Sequence, residues 1–130
     1  MPYLSIDFPG GMRVDAHLKN FVIKSDQPVT SGGEGSAPTP FELFLASIAS
    51  CAGVYALSFC RNKGIDTKGM KLSMNLERDS ETGLVSKVTL DLTLPEGFPE
   101  KYRNAIVHSM NLCTVKKHLQ NPPEFDIITS

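Results

Sequence analysis

The stretch TPFELFLASIASCAGVYALSFCRNKG, residues 39–64, decides how the rest of the chain folds. Within it, residues 43–60 form a run of eighteen side chains without a charge, bounded by a glutamate and an arginine. Thr39 suits a helix N-cap, Pro40 suits the first helical turn, and Gly64 suits the residue that ends a helix. The stretch therefore predicts one long apolar helix.

A membrane span is the competing interpretation of this helix, because about twenty apolar residues can cross a bilayer. Three serines and Gly53 dilute the stretch, and the flanking segments have the pattern of half-buried strands that need a core to cover. We therefore expect a buried helix in a globular protein and no membrane partner. Small residues would let another backbone approach this helix closely: Ala46, Ala49, Ser50 and Gly53.

Alternation of apolar and polar side chains predicts strands on both sides of the helix, with Gly10 and Gly11 supplying a hairpin turn. The strands are expected at residues 2–8, 12–24, 69–78, 84–94 and 125–128, and two further helices at 102–110 and 115–119. The resulting order, β-β-α-β-β-α-α-β, indicates an α+β fold in a single domain over residues 1–130.

Composition excludes several classes of function. The 130 residues carry a formal charge of −1, and no basic run exceeds the pair Lys116 and Lys117, so no stripe exists to bind nucleic-acid phosphates. The first residues lack both a basic start and an apolar stretch of signal length, which indicates a cytoplasmic protein.

Three cysteines, Cys51, Cys60 and Cys113, are too few and too widely spaced for a disulfide scaffold or a four-cysteine metal site. The histidines do not complete a standard metal motif either, so we expect no metal. Cys51 and Cys60 would lie on opposite faces of the helix, about 13 Å apart along its axis. Because a disulfide needs Cα atoms about 5–6 Å apart, the partner available to Cys51 is Cys113.

The two remaining thiols differ in their expected surroundings. Cys113 begins a short helix, with Lys116 and Lys117 one turn later, and this setting favours a reactive thiolate. Cys51 lies in the middle of the apolar helix, so it can act as a nucleophile only if a cation or hydrogen bond reaches it. The alternative for each is a small buried hydrophobic residue, as free cysteines often are.

Two segments carry a family resemblance. Residues 37–53, APTPFELFLASIASCAG, resemble the central-helix motif of the OsmC and organic hydroperoxide resistance (Ohr) superfamily, and residues 112–119, LCTVKKHL, resemble its resolving-cysteine motif. The resemblance implies an OsmC-like fold: an intertwined homodimer with two central buried helices wrapped by antiparallel sheets. It places the thiol sites at the subunit interface.

The resemblance also implies an activity, the thiol-dependent reduction of organic hydroperoxides or other peroxides in oxidative stress defence. Cys51 would be the peroxidatic cysteine, Cys113 would resolve it, and an external dithiol would reduce the disulfide without a bound cofactor. Family members hold the thiolate with an arginine from the N-terminal strands, itself held by a glutamate at the helix start. Arg13 and Glu42 are the nearest candidates.

This sequence departs from the organic-hydroperoxide branch at one position. There the glutamate directly follows the proline, whereas here Phe41 follows Pro40 and Glu42 comes one residue later. The form Pro-x-Glu-Leu is more similar to a less characterised OsmC-like branch. The alternative function is therefore a redox-sensing or binding module that keeps the fold without efficient peroxidase turnover.

Overall fold

The computed structural model describes residues 1–130, and the chain divides into two compact units, Met1–Ala46 and Ser47–Ser130. The secondary structure is the α+β arrangement that the sequence predicts, and the single-domain organisation remains a prediction. The elements are the strands β1 (Ser5–Gly10), β2 (Arg13–Leu18), β3 (Phe21–Ser25), β4 (Lys71–Arg78) and β5 (Val85–Thr93), and the helices α1 (Pro40–Asn62), α2 (Arg103–Asn111) and α3 (Thr114–Gln120).

The first unit contains an antiparallel sheet in the order β1-β2-β3. The prediction of one strand over residues 12–24 is wrong, because Lys19 and Asn20 form a tight turn between the paired residues Leu18 and Phe21. Lys19 adopts a left-handed conformation with φ of 54°. No glycine or proline marks this turn, and for that reason the sequence pattern extends through it as a single strand.

A buried carboxylate, Asp26, organises the loop that leads from β3 towards α1. Its Oδ1 accepts a hydrogen bond from the N–H of Gln27 (2.7 Å), and its Oδ2 accepts from the hydroxyl (2.6 Å) and the N–H (3.0 Å) of Ser36 and from the N–H of Glu34 (3.4 Å). The Ser36 hydroxyl, followed by these N–H groups, lowers the pKa of Asp26 from 3.8 to about 2. The loop is therefore ordered around one negative charge.

Gly33 allows this loop to close. A Cβ at this position would lie 2.0 Å from the carbonyl oxygen of Gln27 and 2.8 Å from Oδ1 of Asp26, so no side chain fits. The N–H of Asp26 also donates to the carbonyl of Pro38 (3.1 Å), which ties the two ends of the loop together.

Helix α1 ends at Asn62 and is capped by Gly64, as its sequence predicts. The N–H of Ile65 donates to the carbonyl of Cys60 (2.8 Å), and the N–H of Gly64 donates to the carbonyl of Arg61 (3.2 Å). Gly64 has a φ of 67°, a conformation that glycine adopts without the strain that a Cβ would add. These two bonds form a Schellman motif, which satisfies carbonyls that would otherwise lack a partner.

The core of the second unit forms where α1 meets α2. Ala52, Ala56 and Cys60 recur every four residues and form a buried stripe that packs with Ile106 and Met110. By length and composition alone, α1 would also fit a membrane span. The buried stripe is the part of α1 that packs into the core of this unit. Partly buried side chains complete the cluster: Phe59, Ile65, Met70, Leu72, Leu90, Leu92, Leu94 and Phe98.

The second predicted hairpin forms, with β4 and β5 paired antiparallel through pairs such as Leu72 with Leu92. The predicted strand at residues 125–128 does not form, and residues 121–130 carry neither helix nor strand. Phe125, Ile127 and Ile128 are exposed in this segment, at 87%, 94% and 81%. A strand needs a neighbouring edge to which its backbone can bond, and no strand of the chain pairs with this segment.

Candidate functional site

The two cysteines singled out by the sequence both lie in the second unit. Cys51 lies on α1 and is half-buried, next to the fully buried Ala52. Cys113 is the N-cap residue of α3, as predicted, and only 2% of it is exposed. Both are free thiols.

A hydrogen bond joins the helix turn that follows Cys51 to the helix start at Cys113. Tyr55 lies four residues after Cys51, on the same side of α1, and its hydroxyl is 3.2 Å from the hydroxyl of Thr114, which directly follows Cys113. Ala52 and Cys113 also line one cavity. Two segments more than fifty residues apart in the chain therefore come together in the fold.

This cavity has a volume of about 490 Å³ and lies between α1, β5, α2 and α3. Cys113 is among its lining residues and Cys51 is not. Most of the wall is apolar, formed by Ile48, Ala52, Val88, Leu90, Leu92, Leu94, Val107, Met110 and Leu119. Four polar residues complete it: Asp91, Arg103, Asn111 and Lys116.

The two cations of this wall have different partners. Nε and Nη2 of Arg103 donate to the two carboxylate oxygens of Glu100, at 2.8 and 3.1 Å, and these bonds lower the pKa of Glu100 and raise that of Arg103. Lys116 instead donates from Nζ to the side-chain oxygen of Asn111 at 2.6 Å. The ammonium of Lys116 therefore has a neutral partner.

Arg13 and Glu42 lie in the first unit and do not form an ion pair with each other. Arg13 begins β2, and its Nε donates to the carbonyl of Gly10 at 3.3 Å. It also lines a small cavity of about 170 Å³ together with Asp15 and Lys24.

The carboxylate of Glu42 takes part in the start of α1. Its Oε1 accepts a hydrogen bond from the N–H of Thr39 (2.9 Å), and the N–H of Glu42 donates to the hydroxyl of Thr39 (3.1 Å). This reciprocal arrangement is a capping box. It confirms the predicted N-cap at Thr39 and gives Glu42 a defined role in fixing the first turn of the helix.

Cys60 is a packing residue. It is fully buried in the core, and burial raises the pKa of its thiol. Its Sγ lies 4.0 Å from Sδ of Met70. A protonated, enclosed thiol of this kind is poorly suited to react with a solute.

Sequence reasoning did not single out Tyr55 or Asp26. The sequence does mark Tyr55, because it is the one tyrosine in the charge-free run and lies one helical turn from Cys51. The sequence marks Asp26 less clearly, because its hydrogen-bond partners Glu34 and Ser36 follow eight and ten residues later in a segment without periodicity.

A family model described as OsmC-like protein matches residues 33–128, which include both cysteines and both candidate motifs. The chain belongs to the OsmC-like family. No curated protein matches this OsmC-like chain.

Solved structures share the fold. A protein from Psychrobacter arcticus 273-4, named for osmotic stress induction and a detoxification response, has a TM-score of 0.76 at 27% identity, covering 90% of this chain and 87% of that chain. An OsmC like protein from Mycoplasma pneumoniae has a TM-score of 0.67 at 16% identity, covering 85% and 80%. An organic hydroperoxide resistance protein OsmC from Legionella pneumophila has a TM-score of 0.53 at 21% identity, covering 90% and 88%.

Proposed function

We propose that this OsmC-like chain is a thiol-dependent peroxidase that reduces organic hydroperoxides through Cys51 and Cys113. The observation that carries the proposal is the Tyr55–Thr114 hydrogen bond, which joins the turn after Cys51 to the residue after Cys113. Membership of a family in which a similar structure is named an organic hydroperoxide resistance protein supports the same activity. The apolar wall of the cavity that Cys113 lines suits a substrate with an organic body.

In the proposed reaction the Cys51 thiolate attacks the near oxygen of the hydroperoxide. The O–O bond breaks, the alkoxide takes a proton from solvent and leaves as an alcohol, and Cys51 becomes a sulfenic acid. The Cys113 thiolate then attacks the sulfur of Cys51, the S–O bond breaks, the hydroxyl takes a proton from solvent and leaves as water, and a disulfide forms. The peroxide gains two electrons and the thiol pair loses two.

An external dithiol completes the cycle in this proposal. One of its thiolates attacks the Cys51–Cys113 disulfide, and its second thiol displaces the resulting mixed disulfide, so both protein thiols return and the dithiol leaves oxidised. No bound cofactor or metal is needed for any of these steps. The reaction fits a protein that acts in the reducing cytoplasm.

We also propose that the working form is a homodimer. The long apolar helix α1 buries only the stripe of Ala52, Ala56 and Cys60 within one chain, whereas Val54 and Leu57 remain 59% and 42% exposed. In the first unit Phe8 and Phe21 are exposed as well, at 79% and 66%. Exposed apolar side chains in this number are typical of a surface that a partner covers, and a second copy is the partner that the family resemblance implies.

The roles of Arg13 and Glu42 belong to the same proposal. Arg13 has a guanidinium without an acidic partner in the structure and remains the candidate for the cation that favours the Cys51 thiolate. For Glu42 the capping box supports a positioning role, in which its carboxylate fixes the start of the helix that carries Cys51.

Steady-state reduction of an organic hydroperoxide, with a dithiol as electron donor, tests the activity. Cys51→Ser is expected to abolish peroxide consumption, and Cys113→Ser is expected to stall after the first oxidation of Cys51. Cys60→Ala is the matched control, because this third cysteine is buried in the core, and it should retain activity. Equal turnover in the wild type, Cys51→Ser and Cys113→Ser would refute the proposal.

One observation favours a second candidate function, a redox-sensing or binding module of the same fold. Glu42 is engaged in the capping box and does not pair with Arg13, so the arginine lacks the carboxylate that would orient it in the organic-hydroperoxide branch. A sensor of this kind would form the Cys51–Cys113 disulfide with peroxide once per chain but would show no sustained turnover with dithiol.

A further inference from the structure

The cavity beside Cys113 combines an apolar wall with one incompletely neutralised cation. Side chains from four elements form most of the wall, and Leu94 and Cys113 contribute from the residues that adjoin them, so its shape is set mainly by packed secondary structure. Its volume, about 490 Å³, lies within the range of about 300–1,000 Å³ typical of small-molecule sites. The residue types suit a ligand that is mostly hydrocarbon.

The polar residues of the wall indicate the charge of that ligand. Glu100 neutralises Arg103 through two hydrogen bonds, whereas Lys116 is held by the neutral side chain of Asn111. Asp91, the one acid in the wall, does not lie within ion-pair distance of either cation. Lys116 is half-buried as a residue, but its ammonium makes a solvent-exposed hydrogen bond to Asn111 and has no carboxylate partner, and a ligand carboxylate would supply one.

We propose that this cavity binds an amphipathic monocarboxylate of the fatty-acid type, with its hydrocarbon chain along the apolar wall and its carboxylate at Lys116. Because Cys113 lines the cavity, a bound hydrocarbon chain would fill the space through which a solute reaches this thiol. The ligand would therefore regulate access to Cys113. The inference concerns binding of a non-peroxidic acid to the reduced protein, so it stands or fails separately from the proposed peroxidase activity.

Binding of dodecanoate below its micellar concentration, measured by calorimetry on the full chain, tests the charge. Dodecanol, with the same chain and no charge, is expected to bind about fivefold more weakly, the upper range for a solvent-accessible ion pair. Lys116→Gln should remove that difference, because glutamine can still donate to Asn111 but carries no charge. Lys117→Gln is the matched control, a neighbouring exposed lysine outside the cavity, and it should retain the difference.

The apolar wall predicts a second dependence. Each methylene between octanoate and dodecanoate should tighten binding by about threefold to fourfold. Val107 lines the cavity and is half-exposed, so Val107→Phe can narrow the cavity without disturbing the buried core. This variant should weaken the binding of dodecanoate by about tenfold. Bound dodecanoate should also slow the alkylation of Cys113 and affect the alkylation of Cys51 less. Peptide mass spectrometry measures the alkylation of each cysteine.

Several results would overturn the inference. Equal affinity of the wild type for dodecanoate and dodecanol, or equal effects of Lys116→Gln and Lys117→Gln, would show that Lys116 does not recognise the carboxylate. Unchanged binding in Val107→Phe would place the acid elsewhere on the surface. A dimer that binds no dodecanoate, and whose Val107→Phe variant dissociates, would identify a second copy of the chain as the occupant.

Discussion

Replacing Tyr55 with phenylalanine removes a single oxygen atom, the one that lies 3.2 Å from the hydroxyl of Thr114. An exposed hydrogen bond between neutral groups contributes at most about 1 kcal/mol, which corresponds to at most about fivefold in an equilibrium or rate that depends on it. Because this bond joins the neighbourhoods of Cys51 and Cys113, Tyr55→Phe should slow disulfide formation by about threefold to fivefold. It should leave the first attack on peroxide unchanged.

A single-turnover experiment separates these two steps. Reduced protein is mixed with one equivalent of an organic hydroperoxide, the reaction is quenched with a reagent that traps sulfenic acid, and the masses of the products are followed over time. Tyr55→Phe should accumulate more trapped Cys51 than the wild type does. Tyr102→Phe is the matched control, because its ring packs against Phe59 while its hydroxyl makes no hydrogen bond.

The partner residue provides the decisive comparison. Thr114→Val should slow disulfide formation as much as Tyr55→Phe, and the double variant should be no slower than either single variant, because both remove the same bond. Additive losses in the double variant would show that the two hydroxyls act separately. A slower first step, with a normal second step, would refute the assignment of Tyr55 to positioning the thiol pair.

Three further predictions concern the start of α1, the loop before it and its small-residue face. Glu42→Gln should keep the free energy of unfolding within about 0.5 kcal/mol of the wild type, because glutamine also completes a capping box. Glu42→Ala should lower the free energy of unfolding by about 1 kcal/mol, measured in urea. A large loss of activity in Glu42→Gln at unchanged stability would point to an ionic role instead. The carboxylate of Asp26 has its pKa lowered to about 2, below that of an unfolded aspartate, so it stabilises the fold above pH 4 and this contribution is lost as the pH falls towards 2. Urea unfolding of wild type and Asp26→Asn at pH 7 and pH 3 should show a smaller difference at pH 3, and a constant difference would contradict this. Gly53→Ala adds a Cβ that contacts only Leu72, at 3.8 Å, so it should raise the unfolding free energy of the isolated chain by about 1 kcal/mol. The same Cβ should weaken self-association, measured by sedimentation, because it enlarges the small-residue face of α1. Unaltered self-association would remove Gly53 from the proposed dimer contact.

Local rules were sufficient for the parts of the fold that depend on neighbouring residues. The long helix, its cap at Thr39 and its end at Gly64 follow from residue types within one turn of each terminus. The second hairpin follows from strict alternation. In each of these cases the interactions that stabilise the element are also the ones that the pattern describes.

The sequence was a poorer guide where the deciding interaction is distant or has no residue signature. Lys19 turns the chain in a left-handed conformation that lysine rarely adopts, so the split between β2 and β3 was missed. The order in the loop around Asp26 arises from partners up to ten residues away. Residues 125–128 have a strand pattern, but a pattern does not provide the edge with which a strand must pair.

The same reasoning applies to the candidate site. Cys113 at the start of α3 could be inferred from its neighbours, and geometry along one helix separated Cys51 from Cys60. The hydrogen bond between the hydroxyls of Tyr55 and Thr114 could not be inferred from the sequence, because it joins residues 59 positions apart. The cavity at Cys113 likewise requires four elements to be in place before it exists.

The enclosed thiol of Cys60 offers a practical consequence for experiments on this protein. An alkylating reagent can reach it only when the helix pair around it opens, so its labelling rate under native conditions measures the free energy of that opening. Cys51 and Cys113 report redox chemistry in the same sample, and mass spectrometry distinguishes the three sites. The labelling rate of Cys60 thus measures the conformational stability of the unmodified chain without an added probe.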